Sequence, residues 1–202
     1  MVFDALNGKA AYWDYHPWAD DNILGSQVEG ELKQMKDYFQ KWDPNTKMKC
    51  ALFEENGVTH DMRRALGHVT IQNAARRMGD FLLTTCAANA LEPYLQNDNG
   101  WNQGQIFFTP SQVWGMPPFY AKQMASNHHK PFRVFSATQG ELDVTAATDE
   151  KKEEVVAHVS NIHDYVITAD ICLKGFDSPS KIKVITLSGD LKDKNTPEQP
   201  ER

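Results

Sequence analysis

Two adjacent glutamates, Glu54 and Glu55, lie at the end of an apolar run of the 202-residue chain. They belong to the stretch KMKCALFEENG, residues 47–57, which ends in an asparagine and a glycine. Enzymes that use carboxylic groups as nucleophiles or general acids usually pair two of them. Neighbouring side chains on a strand point to opposite faces, so these two glutamates cannot be such a pair. One of them is a candidate for chemistry with a partner elsewhere, although a solvated turn would show the same pattern.

Two further sets of polar and aromatic residues follow or end apolar runs in the same way. One closes the run AAYWDYHPW, residues 10–18, and the other follows DFLLTTCAANAL, residues 80–91. In parallel α/β folds the carboxyl ends of the strands meet at one edge, where binding and catalytic groups gather. We therefore expect these sets to share one rim with the glutamates. Its members would be Asp14, His16, Trp18, Asn89, Trp101 and Gln103.

Apolar spacing predicts alternating strands and helices over the first 129 residues. Strands are predicted within residues 10–18, 47–53 and 80–91, and helices over 27–42, 61–78 and 117–129. One face of the second helix is apolar, formed by Met62, Ala65, Leu66 and Val69. Its arginines, Arg64 among them, fall largely outside that face. Alternation of this kind is typical of βαβ units around a parallel sheet.

The pattern changes after residue 129. Short alternating runs follow one another there, and they read ELDVTA, EVVAHVSN, YVITADICL and KIKVITLSG. Turn residues separate them, which predicts an antiparallel β-sandwich. The fold class is therefore α/β plus all-β, with one domain over 1–129 and a β-sandwich domain over 130–202.

Composition excludes several functional classes. The net charge of −6 offers no basic surface for nucleic acid or an anionic membrane. No apolar run reaches the roughly 20 residues of a membrane span, and the first residues do not resemble a secretory signal. The histidines and cysteines show neither HxxxH nor CxxC spacing, so we predict no metal site. Phosphate-binding glycine loops and a GxSxG elbow are missing too, and no cofactor is predicted.

Several ordered motifs resemble the α-L-arabinofuranosidases of glycoside hydrolase family 51. The motifs are WDYHPW, then FEENGVTHDMRRALGH, then the stretch from MGDFLLTTCAANAL to VWGMPPFYAKQMAS. The resemblance extends into the second half, through ELDVTAATDEKKEEVVAHVSNI and LSGDLKDKNTPEQPER. It implies the last three βα units of a (β/α)₈ barrel, followed by a jelly-roll-like β-sandwich that this chain contains only in part.

The resemblance also implies roles for the rim residues. The family's catalytic nucleophile maps onto EEN: alignment on Gly57 selects Glu55, which we favour, and alignment on Asn56 selects Glu54. His16 would contact the sugar or the nucleophile, and Trp18 would help to orient the nucleophile. The remaining sugar contacts implied by the resemblance are Asp14, Asn89, Gln103 and, as a wall of the pocket, Trp101.

One family motif is missing from this sequence. The acid/base glutamate of the family lies in a GNE motif on an earlier strand, and no GNE occurs here. We therefore expect the chain to be an internal or carboxy-terminal piece of an exo-acting, retaining enzyme that releases arabinofuranose from arabinan or arabinoxylan. Its partner would be that polysaccharide, with homo-oligomers expected for the full-length enzyme and its location, cytoplasmic or secreted, left open. The alternative is a non-catalytic carbohydrate-binding or assembly module.

Overall fold

The computed structural model describes residues 2–6, 11–20, 25–96, 103–176 and 179–201. Its helices are α1 (Val2–Leu6), α2 (Gly25–Trp42), α3 (Met62–Met78) and α4 (Pro117–Asn127), with a 3₁₀ turn at Gly79–Phe81. Its strands are β1 (Tyr12–Asp14), β2 (Lys49–Glu55), β3 (Leu82–Ala87), β4 (Leu91–Pro93), β5 (Ile106–Phe108), β6 (Val113–Gly115), β7 (Phe132–Val134), β8 (Asp143–Thr148) and β9 (Val155–Ser160). None of these helices is long and apolar enough to cross a bilayer.

A parallel sheet in the order β1-β2-β3 forms the first half of the structure. Helices α2 and α3 connect its strands, which confirms the predicted strand–helix alternation. Val28, Leu32 and Phe39 of α2 pack with Leu52 of β2 and Ile71 of α3 in one core. This packing buries one face of the sheet and leaves the carboxyl ends of the strands at a common edge.

Helix α3 is buried along most of its length, and its beginning is fixed from two sides. The side chain of Asp61 caps the helix by accepting from the amide of Arg64 at 3.4 Å. The amides of Met62 and Arg63 donate to the carbonyls of Asp193 and Leu191, both at 3.0 Å. The first amides of a helix have no partner within it, so the carboxy-terminal segment supplies the missing acceptors.

The interior position of Arg64 corrects the sequence prediction. Its side chain has no exposed surface, although the helical pattern placed it outside the apolar face. The pattern misleads here because loop carbonyls, which a hydrophobic pattern does not register, surround the guanidinium on that side of the helix.

Two small sheets complete the described elements. Strand β5 pairs in parallel with β4 and antiparallel with β6, and neither β5 nor β6 was among the predicted strands. Strands β7, β8 and β9 form an antiparallel sheet, which confirms ELDVTA and EVVAHVSN as strands. Arg77 and Asn73 of α3 contact Asp143 of β8 at 2.7 and 3.0 Å and join this sheet to the first half.

The other two predicted strands are not formed. The described part of 161–201 contains no strand, so YVITADICL and KIKVITLSG lack the partners that a sheet would give them. Val166, Ile182 and Val184 are exposed as a result, by 92%, 75% and 80%. The described residues thus show three three-stranded sheets, one parallel, one mixed and one antiparallel, and neither a closed sandwich nor a closed barrel.

Two helical glycines give a matched test of this packing. A Cβ on Gly67 of α3 would lie 1.9 Å from the carbonyl oxygen of Ala19, whereas a Cβ on Gly30 of α2 would meet nothing within 4 Å. Gly67→Ala should therefore lower the free energy of unfolding by about 2 kcal/mol or more. Gly30→Ala should raise it by about 0.5–1 kcal/mol, the usual gain from alanine in a helix. Urea unfolding measures both, and equal stability of the two variants would contradict the packing of α3.

Candidate functional site

Asp14, His16 and Glu54 meet on the open face of the parallel sheet. Nε2 of His16 lies 2.7 Å from Oδ2 of Asp14, and Nδ1 lies 3.5 Å from Oε2 of Glu54. The three side chains keep 39–48% of their surface exposed, so a ligand can reach them. Oδ1 of Asp14 also accepts from the amide of Phe53 at 3.1 Å, which ties the end of β1 to β2. The arrangement places two carboxylates on either side of one imidazole.

Glu55 points the other way and has no exposed surface. Its Oε1 forms an ion pair with Nζ of Lys122 on α4, and its Oε2 lies 2.6 Å from Nδ1 of His68 on α3. Nζ of Lys122 also lies 3.4 Å from the hydroxyl of Thr85 on β3. Two helices therefore hold this carboxylate beneath the sheet.

Glu55 stays ionised despite its burial. Burial alone would raise its pKa, but the Lys122 ammonium and the hydrogen bond from His68 outweigh it and lower the pKa to about 2. His68 responds in the opposite sense, since burial lowers its pKa to about 4 against the attraction of Glu55. At neutral pH the pair is thus a carboxylate and a neutral imidazole.

The hydrogen bonds of His68 define its tautomer. Nε of Arg64 is always a donor and lies 3.2 Å from Nε2 of His68, so Nε2 accepts. The side-chain amide nitrogen of Gln105 lies at the same distance from Nε2 and also donates to it. The proton of the neutral ring is therefore on Nδ1, which donates it to Glu55.

Arg64 connects the loops that follow the strands. Its Nη atoms donate to the carbonyls of Thr59 at 3.2 Å, Gln103 at 2.8 Å and Ala88 at 2.6 Å. Burial lowers the pKa of Arg64 to about 10, opposed by the nearby carboxylates, so the guanidinium remains charged. One side chain thereby fixes the loop after β2, the loop after β3 and the segment before β5.

Gln103 belongs to this buried framework rather than to the open face. Its side-chain oxygen accepts from the backbone amide of Gly57 at 3.2 Å, and its backbone amide donates to Oε2 of Glu92 at 2.9 Å. The residue is 5% exposed. In the described geometry it supports the loops and contacts no part of the open face.

The other predicted rim residues are more scattered. Asn89 is exposed and exchanges backbone hydrogen bonds at 3.2 Å with Gln103 and Gln105. Trp18 is half-buried, and its backbone forms a parallel bridge with Asn56. Trp101 lies outside the described residues. The structure therefore joins Asp14, His16 and Glu54, and it does not bring Glu55 or Gln103 to the same face.

Four buried or largely buried residues that support the site were not predicted from the sequence. These are Arg64, His68, Glu92 and Lys122. A signal existed for two of them: Arg64 and His68 are four residues apart, on one side of the helix that directly follows the glutamates. No local pattern indicates Lys122, because its contact with Glu55 spans 67 residues. Among the described residues no cluster of three or more His, Cys, Asp or Glu side chains could hold a metal ion.

Comparison with known structures first gives a class of protein. An arabinose-bound α-L-arabinofuranosidase of glycoside hydrolase family 51 matches 94% of this chain with a TM-score of 0.62 and 11% identity. An arabinose complex of the enzyme from Thermotoga maritima matches 72% with a TM-score of 0.56 and 14% identity. The enzyme from Thermotoga petrophila RKU-1 matches 73% with a TM-score of 0.52 and 15% identity. Shared architecture therefore relates this fold to part of these glycoside hydrolases.

The family follows from the sequence itself. The model of the α-L-arabinofuranosidase C-terminal domain matches residues 41–202, and the chain belongs to this family. It covers 32% of the first structure and 37% of the other two, so it spans about a third of their length. Among curated proteins, no sequence matches this chain closely enough to count as a relative.

The buried His68–Glu55 pair predicts a loss of stability in acid. In the unfolded chain His68 binds a proton below its ordinary pKa of 6.5, whereas in the folded chain it does so only below about pH 4. The free energy of unfolding should therefore fall by about 3 kcal/mol across that window on account of His68. Glu55, with its pKa lowered from 4.5, adds a loss only as the pH falls from 4.5 towards 2.

His68→Asn separates the two contributions, since the amide still donates to Glu55 and does not titrate. Urea unfolding between pH 7 and 4.5 should show a clearly smaller loss for this variant than for the parent chain. Part of the loss remains, because burial and nearby cations lower the pKa of His158 on β9 to about 4 as well. An unchanged pH dependence would show that His68 is not the buried neutral group described here.

Proposed function

We propose that this chain is part of a retaining, exo-acting α-L-arabinofuranosidase and that Glu54 is its catalytic nucleophile. The observation that carries the proposal is the division of the two glutamates between the faces of the sheet. Glu54 is accessible beside His16, whereas Glu55 is enclosed and paired with Lys122. A nucleophile must reach the anomeric carbon of a sugar, and of the two glutamates Glu54 is the one with exposed surface.

This assignment chooses between the two alignments of the EEN stretch. Alignment on the glycine favoured Glu55, and alignment on Asn56 favoured Glu54. The geometry supports the second alignment, because a carboxylate without exposed surface would have to break an ion pair and a hydrogen bond to react.

In the proposed reaction Glu54 attacks the anomeric carbon and forms a covalent arabinosyl ester. A carboxylic acid about 5–5.5 Å away protonates the leaving oxygen and then, as the carboxylate, activates the water that releases arabinose. We assign that second group to another strand of the complete barrel and to none of the described residues. His16 would donate a hydrogen bond to the Glu54 carboxylate or to the sugar, and Asp14 would orient the imidazole.

The wider proposal follows from the same likeness. Residues 1–129 would be the end of a (β/α)₈ barrel, as the parallel β1-β2-β3 unit with its connecting helices supports. Residues 130–202 would belong to a β-sandwich, of which the β7-β8-β9 sheet is one part. The substrates would be arabinan or arabinoxylan side chains, and arabinose is the ligand named for two of the similar structures.

Paired substitutions test the nucleophile in a protein that carries the complete barrel. Glu54→Gln should lower kcat on an aryl α-L-arabinofuranoside by about four orders of magnitude, because the covalent step is lost. Glu55→Gln should lower kcat much less, by about tenfold, because Glu54 keeps its carboxylate, and it should destabilise the protein by about 3 kcal/mol, since Lys122 loses its counter-charge. Steady-state kinetics and thermal unfolding of both variants give the two readouts.

The 202-residue chain by itself is a further control and should show no efficient hydrolysis, since we assign the acid/base group to a strand outside the described residues. Normal kcat in both glutamine variants, with sugar binding retained, would refute the enzymatic proposal and favour a carbohydrate-binding module.

A further inference from the structure

At the end of β2, either of two identical side chains, Glu54 or Glu55, could point into the protein. Glu54 and Glu55 are adjacent, so a local slip of one residue would exchange the carboxylate on the open face for the one beneath the sheet. Such a slip conserves the chemistry of the two positions. Hydrophobic patterning cannot oppose it, because both residues are glutamates.

Backbone pairing is irregular at the end of β2, although Glu55 itself is paired with Ala87 of β3. The β2–β3 register shifts between Cys50 and Leu52 and again between Leu52 and Glu55. On the other side, β1 pairs with β2 only as far as Ala51, and pairing with the segment after β1 resumes at Asn56.

Burial along β2 is equally irregular. Three consecutive residues, Cys50 to Leu52, are buried, and the next two, Phe53 and Glu54, are exposed. Burial therefore does not alternate strictly along β2, and contacts from beyond the sheet help to select the inward residue.

The helices beneath the sheet supply that selection. Lys122 of α4 offers a cation and His68 of α3 a fully buried N–H donor, and both reach one carboxylate from different sides. If Glu55 turned outward without a replacement, a buried donor and a largely buried ammonium would lose their acceptor. Leaving such groups unpaired is costly, so the occupied arrangement is strongly favoured.

We propose that Lys122 and His68 are positioning residues which, by holding Glu55 inside, determine that Glu54 faces the sugar. Both contact Glu55 rather than Glu54, and they act on Glu54 through the side chain of its neighbour. The importance of this selection for catalysis rests on the proposed role of Glu54 as nucleophile. The selection itself is a property of this chain and can be measured without substrate.

Carbodiimide coupling of glycinamide to accessible carboxylates, read by tandem mass spectrometry, reports which glutamate is outside. In the parent chain Glu54 should be labelled and Glu55 protected. In Lys122→Met the labelling of Glu55 should rise about tenfold or more relative to Glu54, as the inward carboxylate loses its cation. A folded Lys122→Met chain in which Glu55 stays as protected as before would overturn the proposal.

Lys33→Met is the matched control, because it removes the same charge from an exposed lysine that pairs with Glu29 one turn earlier on α2. Its Glu54 and Glu55 labelling should equal that of the parent chain. Lys122→Arg, which keeps the cation, should restore protection of Glu55. Circular dichroism checks folding; if Lys122→Met is unfolded, Lys122→Gln takes its place with the same two outcomes.

A kinetic arm separates this inference from the proposed function. In the protein with the complete barrel, Lys122→Met should lower kcat about tenfold or more and change KM by less than about twofold, because misplacement of the nucleophile affects the reaction more than binding. A shift in labelling without any loss of kcat would refute the catalytic role of the selection. Full activity of Glu54→Gln would refute the proposed nucleophile and leave the labelling result standing.

Discussion

The ion pair between Glu55 and Lys122 is the interaction on which the arrangement of this chain depends. It joins the end of a central strand to a helix 67 residues further along the chain. His68, on a second helix, donates a hydrogen bond to the same carboxylate. A carboxylate without exposed surface is stable only when such partners are present. The pair is thus a structural requirement, and its geometric effect is to turn the adjacent Glu54 towards the open face.

Arg64 extends the same principle from one strand to the whole edge of the sheet. Its guanidinium satisfies three loop carbonyls and donates to the imidazole that holds Glu55. Glu92 accepts in turn from the amides of Gln103 and Gly104 at 2.9 and 2.6 Å. A buried polar network in which each group has its partner rigidifies the loops around it. The open face is therefore shaped by contacts that lie behind it and that no ligand would touch.

Sequence patterns could predict those parts of the structure that depend on local spacing. Helices α2, α3 and α4 and strands β1, β2, β3, β8 and β9 were indicated by apolar periodicity, and the family resemblance by ordered motifs. The inward turn of Glu55 could not be predicted, since it depends on Lys122 at a distance in sequence. Burial of Arg64 was missed because its acceptors are backbone carbonyls. The segments around Val166 and Ile182 have strand-like patterns but no neighbouring strand among the described residues, and pattern alone cannot supply one.

The central claim is that the two adjacent glutamates have different roles: Glu54 for chemistry and Glu55 for structure. The most direct measurement is to trap the covalent intermediate in the protein with the complete barrel, using a mechanism-based arabinofuranosyl inhibitor, and to sequence the labelled peptide. We expect the sugar on Glu54 and none on Glu55. A sugar attached to Glu55 would contradict it, because that carboxylate would then have to leave Lys122 and His68 and reach the open face.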